Sequence, residues 1–73
     1  MSPSLPSVSG QQVVAALGRA GFEQVSQRGS HLKLRHPDGR LAIVPLHREL
    51  ARGTLRSVLR QAGLSAEQLK QLL

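Results

Sequence analysis

The chain has 73 residues, carries ten Lys and Arg against four Asp and Glu for a formal charge of +6, and contains no cysteine. That length holds one small domain of modest stability, and the lack of thiols excludes disulfide reinforcement and thiolate metal sites alike. Eight of the ten cations are Arg, which favours a polyanionic ligand over a neutral small molecule. No apolar run reaches the roughly 18 residues of a membrane span. Met1–Ser7 has neither a basic n-region nor an apolar h-region, so a cytoplasmic protein with no membrane partner is expected.

Residues 1–8 read as a flexible tail and residues 9–73 as the domain. Ser9-Gly10-Gln11-Gln12 fits a capping box. Val13, Leu17 and Ala20 follow at helical spacing, with Val14 widening the stripe. Gly21 stands where a left-handed residue closes a helix, and Phe22 is expected to pack back on Leu17.

The pattern then turns extended. Glu23–Gln27 is a polar strand expected to be held by Val25, and Arg28-Gly29-Ser30 is a turn. His31-Leu32-Lys33-Leu34-Arg35 alternates strictly, as a half-buried strand does. Pro37-Asp38-Gly39 supplies turn chemistry, Leu41–Val44 forms the return strand and Pro45 ends it. Leu46–Arg52 reads as a loop, after which Thr54 is the expected cap of a helix carrying Leu55, Val58, Leu59 and Ala62. Gly63 stops that helix, and Ser65 with Gln68 boxes the start of a short last one, Leu64 stapling to Leu69. The order is an α+β fold, α-β-β-β-α with a short C-terminal helix. Its economical packing is a three-stranded antiparallel sheet with helices on one face.

Alternation sends Leu32 and Leu34 toward the helices, so His31, Lys33 and Arg35 project together from the open face. Such a row suits a phosphodiester, with Lys as a point charge and Arg as a planar fork. A three-residue loop at Pro37-Asp38-Gly39 sets Leu34 opposite Ala42 and Leu32 opposite Val44. By the same register Leu41 and Ile43 land on the open face. Two aliphatics exposed there predict a cover over the His31 row, from a protein partner or from a second copy forming a homodimer. The ordinary reading of each piece is blander: a surface histidine and a solvated charged strand face.

Five segments carry a family resemblance: Gly21-Phe22, Gln27-Arg28-Gly29-Ser30-His31, Arg35-His36-Pro37-Asp38-Gly39-Arg40, Val44-Pro45-Leu46-His47, and Gly53-Thr54-Leu55-Arg56-Ser57-Val58-Leu59-Arg60-Gln61-Ala62-Gly63-Leu64. In this order they resemble the HicA toxin family, over about residues 9–73. The resemblance implies a fold like a double-stranded-RNA-binding domain and ribosome-independent cleavage of mRNA that arrests growth. It also implies a HicB-like antitoxin that masks the active site. The family's functional histidine follows Gly-Ser in the second strand, which is His31 here. A second histidine often follows it in the family, where this chain has Leu32.

The chemistry asks for a group that moves a proton and for charge that stabilises a phosphorane. Imidazole suits the first task and fixed cations the second. His31 is therefore assigned proton transfer, Lys33 and Arg35 phosphate binding, and Ser30, Arg28 and Arg40 further RNA contacts. His36 and His47 are read as turn and loop residues. With no metal-spaced Asp, Glu or His cluster, the expected reaction needs no metal or other cofactor. Two alternatives stand beside it. One is a module that binds RNA by shape without cutting it. The other is a helix-turn-helix DNA binder over Leu55–Leu73, whose recognition helix would offer Lys70 as its single cation.

Overall fold

A computed structural model describes residues 5–73; Met1–Ser4 of the expected tail lie outside the described residues. Helix α1 (Gly10–Arg19) is followed by strands β1 (Glu23–Arg28), β2 (His31–Arg35) and β3 (Leu41–Pro45), then by helices α2 (Arg52–Ala62) and α3 (Ala66–Leu72). The strands form one antiparallel sheet in the order β1-β2-β3. The fold is α+β, as the element order predicted.

The helix ends follow their residues. Ser9 and Ser65 each accept from the N3 backbone N–H, and Gln12 and Gln68 reach back to the caps, completing both capping boxes. Gly21 and Gly63 take positive φ, and the Phe22 N–H donates to the Leu17 carbonyl at 2.9 Å. Helix α2 departs from expectation: it begins a turn earlier, at Arg52, with Ala51 as N-cap and no side-chain cap bond, so Thr54 lies inside its first turn. Leu50 causes the shift. Its side chain is buried and its N–H donates to the Val8 carbonyl, which fixes where the chain enters the helix. The exposed first-turn N–H groups can bond to water instead.

That bond also anchors the end of the expected tail. Val8 is buried, Leu5 packs partly on the core and the Ser7 hydroxyl donates to Glu49, so residues 5–8 lie against the domain. An apolar residue docked beside Leu50 removes surface from water, an opportunity that composition alone does not reveal.

The core joins Val13, Ala16 and Leu17 of α1 to Leu32, Leu34, Ala42 and Val44 of the sheet, and to Leu55, Val58, Leu59 and Leu69 of the later helices. Each fully buried Leu or Val contributes roughly 1.5–3 kcal/mol. Strand β1 adds nothing to this core. All six of its residues are exposed, and Val25, expected to anchor it, is 54% accessible. The cause is a bulge between Gln24 and Ser26 that leaves Val25 as the extra residue opposite no partner.

The β2–β3 hairpin closes as the turn residues predict, with the His36 N–H donating to the Arg40 carbonyl and Gly39 at φ 100°. Inside it, Arg40 Nε donates to both Asp38 oxygens at 3.0 and 2.8 Å, and the Arg40 backbone N–H donates to one of them. These bonds hold the Asp38 carboxyl below the usual carboxylate range, at about 2. A carboxylate with a lowered folded-state pKa adds stability above its unfolded value, and that contribution fades as pH falls from about 4 toward about 2. Thermal melts of wild type and Asp38→Asn are therefore expected to differ near neutrality and to converge as pH falls through that window.

Candidate nucleic-acid interface

The open face of the sheet is a grid of three cross-strand rows. Arg28 pairs with His31 and His31 with Pro45; Ser26 pairs with Lys33 and Lys33 with Ile43; Glu23 pairs with Arg35 and Arg35 with Leu41. The residues between, Leu32, Leu34, Ala42 and Val44, turn inward and are buried. His31, Lys33 and Arg35 are all exposed, while Leu41 and Ile43 are 48% and 43% accessible.

His31 owes its position to the turn before it. Gly29 adopts φ 59°, so Gly29-Ser30 forms a two-residue hairpin loop and sets Arg28 directly across from His31. Cross-strand neighbours of this kind have Cβ atoms about 5 Å apart. Lys33 stands two residues along β2, roughly 7 Å away, whereas Arg35 is about 13 Å distant. Arg28 is thus a nearer cation to the imidazole than Arg35. The two-residue loop was the signal for this pairing.

His31 borders two shallow depressions. One, of about 410 Å³, is lined by Ser26, Arg28, Lys33 and Ile43 besides His31. The other, of about 470 Å³, lies toward α2 and is lined by Ile43, Pro45, Thr54, Ser57 and Gln61 among others. No carboxylate borders either one among the described residues. The wall from α2 was not legible in the strand pattern. It exists because α2 runs along the β3 edge, where Gln61 Oε1 accepts the Ile43 N–H at 2.8 Å. That bond also satisfies an edge-strand donor that would otherwise be left for another chain.

The remaining predicted residues sit elsewhere. Arg35 shares a separate depression with Glu23, Val25 and His36. Ser30 is exposed in the turn, and its carbonyl accepts the Leu46 N–H, tying that turn to the segment leaving β3. Arg40 is not brought to the row. Its guanidinium is engaged by Asp38, donates to the Ala62 carbonyl at the end of α2 and lies 5.3 Å from the Phe22 ring centre. Those contacts lock the hairpin to α2 and to the helix α1 exit. Arg40→Met is accordingly expected to lower stability by about 1–2 kcal/mol in denaturant titration.

His36 packs edge-on against Phe22, and its Nδ1 accepts the Asp38 N–H. The His47 carbonyl accepts from Gly10, and the His47 side chain borders neither depression beside His31. Arg19 donates to the Leu72 carbonyl and so ties α1 to the end of α3. Among the described residues, no three His, Cys, Asp or Glu side chains gather as a metal site, and no helix is long and apolar enough to cross a membrane.

With this geometry in hand, comparison with family models adds one finding: the model described as the HicA toxin of bacterial toxin–antitoxin systems matches residues 10–64. The chain belongs to the HicA toxin family. The match runs from the start of α1 through all three strands and α2 and ends just beyond Gly63. No individual curated protein matches. Membership of a toxin–antitoxin family implies an antitoxin as counterpart. Where HicA-family chains often carry a second histidine, Leu32 is 6% accessible and faces the helices. The open face of this HicA-family domain therefore presents His31 alone from the motif.

Proposed function

We propose that this HicA-family chain is an endoribonuclease that cleaves mRNA independently of the ribosome and without a metal ion, using His31 in proton transfer. The observation that carries the reading is the exposed imidazole flanked by Arg28 across the strand and Lys33 along it, with no carboxylate bordering the same depressions. RNA contains its own nucleophile. His31 accepts the 2′-OH proton as that oxygen attacks the adjacent phosphorus, forming a 2′,3′-cyclic phosphate as the bond to the 5′ oxygen breaks. Arg28 and Lys33 stabilise the charge gathering on the phosphorane, with Arg35 and Ser30 serving the flanking chain. The leaving oxygen takes its proton from solvent, which an exposed site admits.

Antitoxin binding fits the same face. Leu41, Ile43 and Val25 supply apolar contact beside the cations, and a HicB-like antitoxin lying across them would cover His31.

The test is cleavage of a single-stranded RNA, and of the same sequence as DNA, in EDTA. RNA cut to cyclic-phosphate ends beside intact DNA is the expected result. RNA bound but left whole would overturn the enzyme in favour of a passive RNA-binding module. Cleavage abolished by EDTA would overturn the metal-free route.

A further inference from the structure

We infer that the α2 side of the His31 site, formed by Thr54, Ser57 and Gln61, is a subsite for the nucleobase next to the scissile phosphate of RNA, with Gln61 selecting the base. This rests on RNA being the ligand at His31.

The two depressions meeting at His31 differ in chemistry. The one toward β1 offers Arg28 and Lys33, which suit phosphate oxygens. The one toward α2 has no cation lining it; it offers two hydroxyls and an amide above an aliphatic floor that includes Ile43 and Pro45. Such a surface gains little from phosphate, but it can pack a base and pair with its edge. Thr54, Ser57 and Gln61 recur at i, i+3 and i+7, so they share one side of the helix. They span about 10 Å of its length. The chain's single Phe, Tyr or Trp side chain, Phe22, is buried in the core, so the aliphatic floor and the bordering His31 ring are what a base can pack on here.

Gln61 is held ready for this role. Its Oε1 accepts the Ile43 N–H, and because a backbone N–H can only donate, the amide orientation follows from the bond. The Nε2 hydrogens make no hydrogen bond among the described residues, and the Ser57 hydroxyl likewise makes none. An amide donor held by such a bond on a residue lining a neutral hollow discriminates among bases, whereas the Arg28 and Lys33 side does not. Ile43 borders both hollows, so its backbone couples the amide's position to the cationic side.

The experiment maps cut sites in a pool of RNAs randomised around one cleavage position, for wild type, Gln61→Glu, Gln61→Met and Ser57→Ala. Gln61→Glu keeps an acceptor for Ile43 while removing the donors. Ser57→Ala removes an exposed hydroxyl with no partner, so it reports even where a Gln61 variant loosens the β3 edge. Wild type is expected to prefer one base beside the cut, and the Gln61 variants to change that preference by about tenfold. Lys33→Met is expected to slow all sequences alike and to reduce the salt dependence. Unchanged base preference in the Gln61 and Ser57 variants, or no preference in wild type, would overturn the subsite while leaving the ribonuclease standing. No cleavage of any RNA by wild type would overturn both.

Discussion

Replacing His31 by alanine is expected to lower the RNA cleavage rate by about 100-fold or more while leaving the melting temperature unchanged. General acid–base groups contribute about 10²–10⁴-fold, and no second histidine from the motif stands on this face to substitute. The structural side is equally definite. The His31 ring is exposed, and its side chain makes no hydrogen bond within the described residues. Its removal therefore leaves no cavity and no orphaned polar partner. RNA binding should persist in the variant, because Arg28 and Lys33 remain. Cleavage at the wild-type rate by His31→Ala would refute the assignment. A large fall in melting temperature would mean the residue supports the fold instead.

Gly10→Ala is expected to give the opposite pattern, a large loss of stability from a site with no part in the chemistry. Gly10 begins α1, and its N–H donates to the His47 carbonyl at 2.9 Å. A Cβ there would lie 2.1 Å from the Pro45 carbonyl oxygen and 2.8 Å from Leu46 Cα. Both obstacles are backbone, so no side-chain rotation relieves them and the helix must move off the β3 exit. Overpacking of this kind costs about 3 kcal/mol, a large part of the roughly 4–10 kcal/mol that a domain of this size holds. The midpoint of thermal unfolding should fall by roughly 10–20 °C. Gly18→Ala is the control: nothing lies within 4 Å of its added Cβ, and the change should stabilise α1 by about 0.5 kcal/mol. A Gly10→Ala protein as stable as wild type would show that the helix start tolerates displacement.

Gly10 also explains how the site is held. Its docking fixes the chain around Pro45 and Leu46, and the Leu46 N–H donates to the Ser30 carbonyl at the turn preceding His31. Pro45 itself is the cross-strand partner of His31. The end of β2 that carries the imidazole is therefore braced from both neighbouring strands, although α1 lies on the other face of the sheet. From the sequence, Gly10 is only the second residue of a capping box, a position where many residues serve. Its need for zero side-chain volume arises from a segment 35 positions later that happens to cross in front of it.

Local chemistry with local consequences was legible. The capping boxes at Ser9 and Ser65, the closures at Gly21 and Gly63, and the register that exposes Leu41 and Ile43 each depend on residues a few positions apart. The alternation in β2 determines which side chains share a face with His31, because a strand's period of two leaves no freedom once Leu32 and Leu34 are buried. Departures arose where packing or an irregular strand intervened. A bulge leaves Val25 outside the core and the anchoring of Leu50 takes the capping role from Thr54, while the Arg40 guanidinium is engaged by Asp38, Phe22 and Ala62.

The sequence by itself thus determined the elements, their order and the outward row of His31, Lys33 and Arg35, because hydrophobic periodicity and turn residues act over a few positions. Only the tertiary structure decided that Arg40 is held away from the imidazole by Phe22 and Ala62, and that α2 supplies a neutral wall through Gln61. Those outcomes depend on which segments meet in space, and a helix laid along a strand edge leaves no periodic mark in either segment.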